Sequence, residues 1–426
     1  MSKHHRHTEK DHETPEASAI RVREEESGME TKKNWVELDL GGKVPVRSWV
    51  PAEELYADGE LLAQARNASN HPLVAGPVVL CPDTHQGFGV PIGSVVALEG
   101  GVSCNMVGVD IGCGVGLVRV DATEDELRWA IAERSLLPGV GARIPLGPGG
   151  RFDRAVSWRT IPDSALVAGR LESTPYQLGT MGGGNHAAEW EADAEGRVWF
   201  MIHSGSRHLG AVVAKHYHEL ALAMNRAAGV ELPHADLAYL PEGTPEFDAY
   251  VEALSYCLDW ALENRKLMMR AAVTALSESL GRRVSVEDEL NVHHNTADLE
   301  AWGGRKVWVH RKGATPADAG VRGAIPGHMG LGTYLTTGLG SVDSYATSSH
   351  GVGRAMGRNV AKRTLDIEVE KAKLDAAGVT LWTPGGYKSV LDEMPGSYHE
   401  PALVMERQSD LVHVEGLLRS VGNVKG

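Results

Sequence analysis

A chain of 426 residues, 42% apolar and 23% charged, is long enough for one large or two ordinary domains and has the make-up of a soluble globular protein. Its formal net charge of −14 argues against broad, non-specific nucleic-acid binding; a phosphate-rich substrate would need local basic groups or metal ions to offset its charge. No apolar run approaches the roughly 20 residues that span a bilayer, and the N-terminus lacks the charged-then-apolar pattern of a signal peptide, so a cytoplasmic location without membrane association is expected.

Residues 1–33 are polar, charged and almost free of large apolar side chains, which predicts a disordered tail; His4, His5, His7 and His12 read as part of that solvated tail. From Trp35 the pattern becomes globular. "HPLVAGPVVLCPDTH" and "GSVVALEGGVSCNMVGVDIGCGVGLVRV" are short β-branched runs punctuated by glycine, as strands joined by tight turns would be. "DATEDELRWAIAERSLL" has Thr123 and Glu126 in capping-box spacing and predicts a helix. "VWFMIHSGSRHLG" predicts a strand ending in a loop, and "GAVVAKHYHELALAMNRAAG" a helix. A second, longer helix begins at Thr244-Pro245-Glu246 and stops at Gly281. "RKVWVHRKGA" reads as a strand and "GRNVAKRTLDIEVEKAKLDAAG" as one charged surface helix. Strands, then helices, then strands predict an α+β fold rather than regular βαβ repeats.

Candidate chemistry is concentrated in glycine-rich turns. The four cysteines, Cys81, Cys104, Cys113 and Cys257, have no disulfide-framework spacing, so reduced thiols are expected and a special one would be a metal ligand. Asp83 and His85 share one polar turn; Asp110 and Cys113 share another, where a carboxylate and a thiolate three residues apart can hold one cation. Such mixed oxygen, sulfur and nitrogen donors suit Zn²⁺ or Mn²⁺ better than Ca²⁺ or Mg²⁺, although glycine-flanked Asp and Cys also serve as plain turn residues. In "LGTMGGGNHAAEW", three glycines precede Asn185, His186 and Glu189, a set suited to a phosphate together with a metal, or to a plain loop opening a helix. "MIHSGSRHLG" sets His203 at the lip of a possible phosphate cradle with Arg207. Of the adjacent His293 and His294, alternation along a strand lets only one enter a given site. "VHRKGATPADAG" and "IPGHMGLGTYLTTG" are further loops where backbone can approach a ligand; no Walker sequence is present, so any nucleotide is held by another device. Finally, "SSHGVGRAMGR" places His350 before two glycines and two arginines, Arg354 and Arg358.

Taken together, "PDTHQGFGVPIGSVV", "VGVDIGCGVG", "GGGNHAAE", "HSGSRHLG", "HHNTA", "HRKGAT", "IPGHMG", "SSHGVGR", "GGYKSVLDE" and the terminal "VKG" resemble, in order, the motifs of the RtcB family of RNA ligases. The resemblance spans about residues 35–426 and implies a single large catalytic domain over 34–426, with mixed sheets around a two-metal site and peripheral helices. It implies joining of an RNA 3′-phosphate or 2′,3′-cyclic phosphate end to a 5′-hydroxyl end in tRNA splicing or RNA repair, with GTP as co-substrate and two Mn²⁺ ions. It carries the metal-ligand roles to Asp110, Cys113, His186, His203 and His294, Cys113 being shared, and the guanylylated nucleophile to His350. Asn185 would contact the guanylate phosphate, Glu189 and Lys425 the guanine, and Tyr387 would pack on the nucleotide. Arg207, Arg354 and Arg358 would face RNA or nucleotide phosphates. An archease-like activator protein is a further partner the resemblance raises. Two positions depart from the usual pattern: His328 and Thr333 stand where serines are common, both expected near the nucleotide. A metal-dependent 2′,3′-cyclic phosphodiesterase, or a low-activity paralogue that binds RNA ends, are the competing readings.

Overall fold

The structure, a computed structural model, describes residues 21–22, 33–169 and 171–426. The predicted tail therefore falls largely outside the described residues; within it, Arg21–Val22 form a two-residue strand parallel to Glu300–Ala301. The architecture is mixed α+β, with most strand pairs antiparallel.

Two sheets dominate the described residues. A seven-stranded sheet runs in the order Arg21–Val22, Asn295–Trp302, Arg305–Lys312, Ile92–Leu98, Val78–His85, Val46–Ser48, Val36–Leu38. An eight-stranded sheet runs Val286–His293, Gly114–Thr123, Arg197–Ser204, Ala187–Ala192, Val412–Val424, Gly332–Gly338, Arg322–Pro326, with Thr380–Trp382 added parallel to Val412–Val424. His294 is the single residue between the edge strand of the second sheet and the next strand of the first. Its N–H donates to Cys113 O at 2.8 Å, and its own carbonyl accepts from Ala314 N at 3.0 Å, which pins the crossing.

The expected helix starts and stops follow from local chemistry. Thr123 and Glu126 close a capping box ahead of Glu124–Glu133, a motif that stabilises a helix start by about 1 kcal/mol. The helix Pro245–Leu280 is capped by the Thr244 side chain and ends where Gly281 turns left-handed at φ 66°, a conformation that carries no Cβ penalty in glycine. Its apolar residues Met268, Met269, Ala272 and Leu276 pack on Val118, Phe200 and Ile202 of the eight-stranded sheet. Its first half, with Tyr250, Leu254 and Trp260, packs on Val213 and Tyr217 of the helix Arg207–Ala227.

Two elements differ from the sequence expectation. The strand ending at Ser204 passes into a helix at Arg207, three residues later, rather than into an extended loop. The charged C-terminal helix is two helices, Arg358–Thr364 and Ile367–Ala376, because the Asp366 carboxylate accepts from Glu368 N and Val369 N and starts a new helix there. Among the described residues no helix is long and apolar enough to cross a membrane.

Candidate metal centre and nucleotide cleft

The predicted ligands converge from strand ends. Cys113 immediately precedes Gly114–Thr123, His186 precedes Ala187–Ala192, His203 is the penultimate residue of Arg197–Ser204, and His294 occupies the crossing between sheets. Cys113 Sγ lies 3.5 Å from His186 Nε2 and 3.3 Å from His203 Nε2; His203 Nε2 lies 3.4 Å from His294 Nε2. Asp110 Oδ2 lies 3.0 Å from His186 Nε2. Two sets of donor atoms are compact enough to hold an ion, Cys113 with His203 and His294, and Asp110 and His186 with Cys113, so the sulfur belongs to both.

The surroundings prepare these groups to bind a cation. His186 Nδ1 faces Met181 O at 2.7 Å, which fixes the ring and leaves Nε2 as the donor atom toward Cys113. Burial, and then the charge on each neighbouring imidazole, pushes His203 and His294 well below the ordinary histidine range, so both are neutral. Burial and the Asp110 carboxylate push the Cys113 thiol well up; a divalent cation is the partner that would stabilise its thiolate. His293 turns the other way, its Nδ1 2.9 Å from Gly112 O, as alternation along the strand requires.

Beside this cluster opens a cleft of about 540 Å³, lined among others by Asn185, Glu189, His203, His328, His350 and Lys425. The His350 ring packs edge-on to His294 with centroids 4.7 Å apart. Its Nδ1 lies 2.6 Å from Asp83 Oδ2, close enough for an ion pair though not aligned as a hydrogen bond. The same carboxylate oxygen accepts from the backbone N–H groups of His350 and Gly351, both at 3.2 Å. Gly353 is left-handed at φ 66°, and a Cβ there would lie 2.5 Å from Asp83 O; only glycine lets this loop close over Asp83. Asp83, considered from sequence as a cation-binding turn residue, thus belongs to the His350 loop.

The far wall of the cleft is an acid–base network. Glu393 accepts from Tyr398 Oη at 2.6 Å, pairs with Arg354 at 3.2 Å and Lys425 at 3.4 Å, and also pairs with Arg358. Burial alone would raise its pKa, but Lys425, Arg358, Tyr398 and Arg354 together hold it down to about 2. Arg358 also binds Asp392 Oδ2 at 2.9 Å. Glu189 is raised to about 7 by burial, with Lys425 opposing. Glu191, two residues on, is raised further by burial and by Glu189.

Several site residues expected from sequence sit elsewhere than the cleft. Tyr387 heads the short helix Tyr387–Glu393 beneath Lys371 and does not line the cleft; Tyr398 supplies its tyrosine ring, 6.5 Å from His328 and under Arg354. Thr333 is fully buried in strand Gly332–Gly338, where its hydroxyl donates to Glu191 Oε1 at 2.8 Å. Arg207, left-handed at φ 59°, is tied to Thr180 Oγ1 at 3.1 Å and Gly147 O at 3.0 Å, under the Gly182 turn. His328 does line the cleft, its Nδ1 accepting from Gly330 N at 3.2 Å. Sequence reading missed Asp83 as a partner of His350, and it missed Glu393 and Tyr398. The available signal was charge balance: Arg354 and Arg358 next to a buried loop need an acidic partner.

The family model described as tRNA-splicing ligase RtcB matches residues 64–171 and 158–426. The chain is 35% identical over 421 residues to the RNA-splicing ligase RtcB of Escherichia coli strain K12, covering 92% of this chain and 99% of that protein. It is 30% identical to the tRNA-splicing ligase RtcB of Aeropyrum pernix, over 88% of this chain and 91% of the relative. Against the tRNA-splicing ligase RtcB of Thermococcus kodakarensis the identity is also 30%, over 90% and 96%. With a Cys/His/Asp cluster beside a histidine-lined cleft, and similarity along nearly its whole length, this chain belongs to the RtcB family of RNA-splicing ligases.

Proposed function

We propose that the chain is an RNA ligase that joins a 3′-phosphate or 2′,3′-cyclic phosphate end to a 5′-hydroxyl end, using GTP and two Mn²⁺ ions. The observation that carries this reading is His350: an imidazole lining the cleft, against His294 on one side and the Asp83 carboxylate on the other. Cys113, His203 and His294 would hold one ion, and Asp110, Cys113 and His186 the other. When bound, such ions offset charge on phosphoryl oxygens and lower the barrier to attack at phosphorus.

With Nδ1 against Asp83, His350 Nε2 is the nitrogen free to attack the α-phosphorus of GTP; the N–P bond forms as pyrophosphate leaves. An RNA 3′-phosphate oxygen then takes the guanylyl group from His350, giving RNA-3′-pp-G. Attack by the 5′-hydroxyl on the 3′-phosphorus makes the phosphodiester and expels GMP. A cyclic end must first be opened by water to the 3′-phosphate. Asn185, Glu189 and Lys425, brought to one cleft with His350, are the groups that would hold the guanylate. A cytoplasmic setting suits the four buried free thiols.

The test is incubation with α-labelled GTP and Mn²⁺, followed by a search for an acid-labile, alkali-stable protein adduct. The expected result is a labelled wild type and an unlabelled His350→Ala. No label on the wild type, or an undiminished one on the variant, sinks the ligase reading. Opening of a cyclic phosphate without any adduct would favour the phosphodiesterase.

A further inference from the structure

The helix Pro245–Leu280 carries two consecutive polar residues, Asn264 and Arg265, with no solvent exposure. Burying an amide and a guanidinium is strongly unfavourable unless their donors and acceptors are matched. Here the matching groups come from the segments that carry the candidate ligands. Arg265 Nη1 donates to Gly112 O and to Ser204 O, both at 2.8 Å. Its Nη2 faces His293 Nδ1 at 3.1 Å, and its Nε donates to Asn291 Oδ1 at 2.6 Å. Gly112 is the residue before Cys113, Ser204 the residue after His203, and His293 the residue before His294.

One planar fork therefore spans three backbone segments, each a single residue from a member of the Cys113–His203–His294 group. Asn264 acts on the remaining histidine segment. Its Oδ1 accepts from Gly179 N at 2.6 Å and Thr180 N at 3.1 Å, while its Nδ2 donates to Thr180 O at 3.1 Å and Gly205 O at 3.0 Å. The next residue, Met181, presents the carbonyl that faces His186 Nδ1.

We infer that Arg265 is a positioning residue for the metal centre, its guanidinium setting the mutual spacing of Cys113, His203 and His294 from beneath. The inference rests on the metal reading proposed above. A position needed only for packing is filled as well by an apolar side chain of similar volume, and a charge alone by lysine. Four partners at fixed angles require the five N–H groups of arginine. Burial draws Arg265 down to about 10, which leaves it cationic at neutral pH.

The experiment titrates the full-length chain with Co²⁺ as a spectroscopic stand-in for Mn²⁺, following the thiolate-to-cobalt charge-transfer band, and records thermal unfolding in parallel. The wild type reports on the metal reading itself: without a thiolate band, that reading fails. Given the band, Arg265→Lys and Arg265→Met are expected to unfold cooperatively but to bind Co²⁺ about 10–100-fold more weakly. Folded variants with the wild-type affinity and band would overturn the positioning role. Should neither fold, Asn291→Ala decides, since it removes the Nε acceptor, together with one bond from Asn291 Nδ2 to Leu262 O, and leaves the guanidinium in place. A loss of roughly tenfold in Co²⁺ affinity is then expected, and an unchanged affinity overturns the inference.

Discussion

His350 Nδ1 sits 2.6 Å from Asp83 Oδ2, a carboxylate with no solvent exposure whose same oxygen also accepts two backbone N–H groups from the His350 loop. One buried acid thus orients the ring and fixes the loop that bears it. Asp83→Asn keeps the size but removes the negative charge beside Nδ1 of the ring. It is expected to slow labelling of His350 by α-labelled GTP by about 10²-fold with little change in melting temperature. Wild-type labelling kinetics in the variant would count against this role.

Cys113 sits in both candidate ligand sets, whereas His186 sits in one. Cys113→Ala is expected to abolish binding of both ions, and His186→Ala to leave one per chain. Metal content measured by inductively coupled plasma mass spectrometry after Mn²⁺ loading and desalting distinguishes the two outcomes. Retention of two ions in Cys113→Ala would refute the shared-sulfur assignment.

Glu393 gives a sign to the acid dependence of stability. Its folded pKa of about 2 lies below the ordinary 4.5, so its contribution is present above about pH 4.5 and disappears as pH falls toward about 2. The depression corresponds to about 3 kcal/mol at neutral pH. Glu393→Gln is expected to lower stability at pH 7 and to flatten the loss of stability between pH 4.5 and 2, which chemical denaturation at a series of pH values would reveal.

His328 lines the cleft, and its ring nitrogen accepts from Gly330 N. His328→Ser removes that bond and half of the His328–Tyr398 wall. Losing a side chain that shapes this wall is expected to raise KM for GTP. Steady-state labelling or ligation kinetics against GTP concentration checks it; a lower KM would mark His328 as a handicap instead.

The parts of this site legible in sequence were those whose chemistry is local. Asp110 with Cys113, and Asn185 with His186 and Glu189, stand out because each set lies within a few residues of a glycine-rich turn. The capping box at Thr123 and the left-handed stop at Gly281 were readable for the same reason. What was not legible depends on distant pairing. Asp83 meets His350 across 267 positions, and Glu393 gathers Arg354, Arg358 and Lys425 from two other segments. Tyr387 and Tyr398 both follow small residues in similar contexts, and only the fold shows which ring reaches the cleft. The predicted single helix after Gly357 failed on one carboxylate, because Asp366 caps a new helix where the charge pattern ran straight through.

His294 lies where the chain leaves one sheet for the other, and its imidazole would hold an ion together with His203, in a strand of the sheet it has just left, and Cys113, just before another. Occupancy of the centre and integrity of that seam are therefore one equilibrium. Any cation that binds only the assembled form adds RT ln(1 + [L]/Kd) to the work of prising the sheets apart. A substitution that loosens the seam far from the cleft weakens apparent metal affinity in proportion to the share of chains it leaves unassembled. Scarcity of the ion would then register as fragility of the whole chain before it registered as a slower reaction.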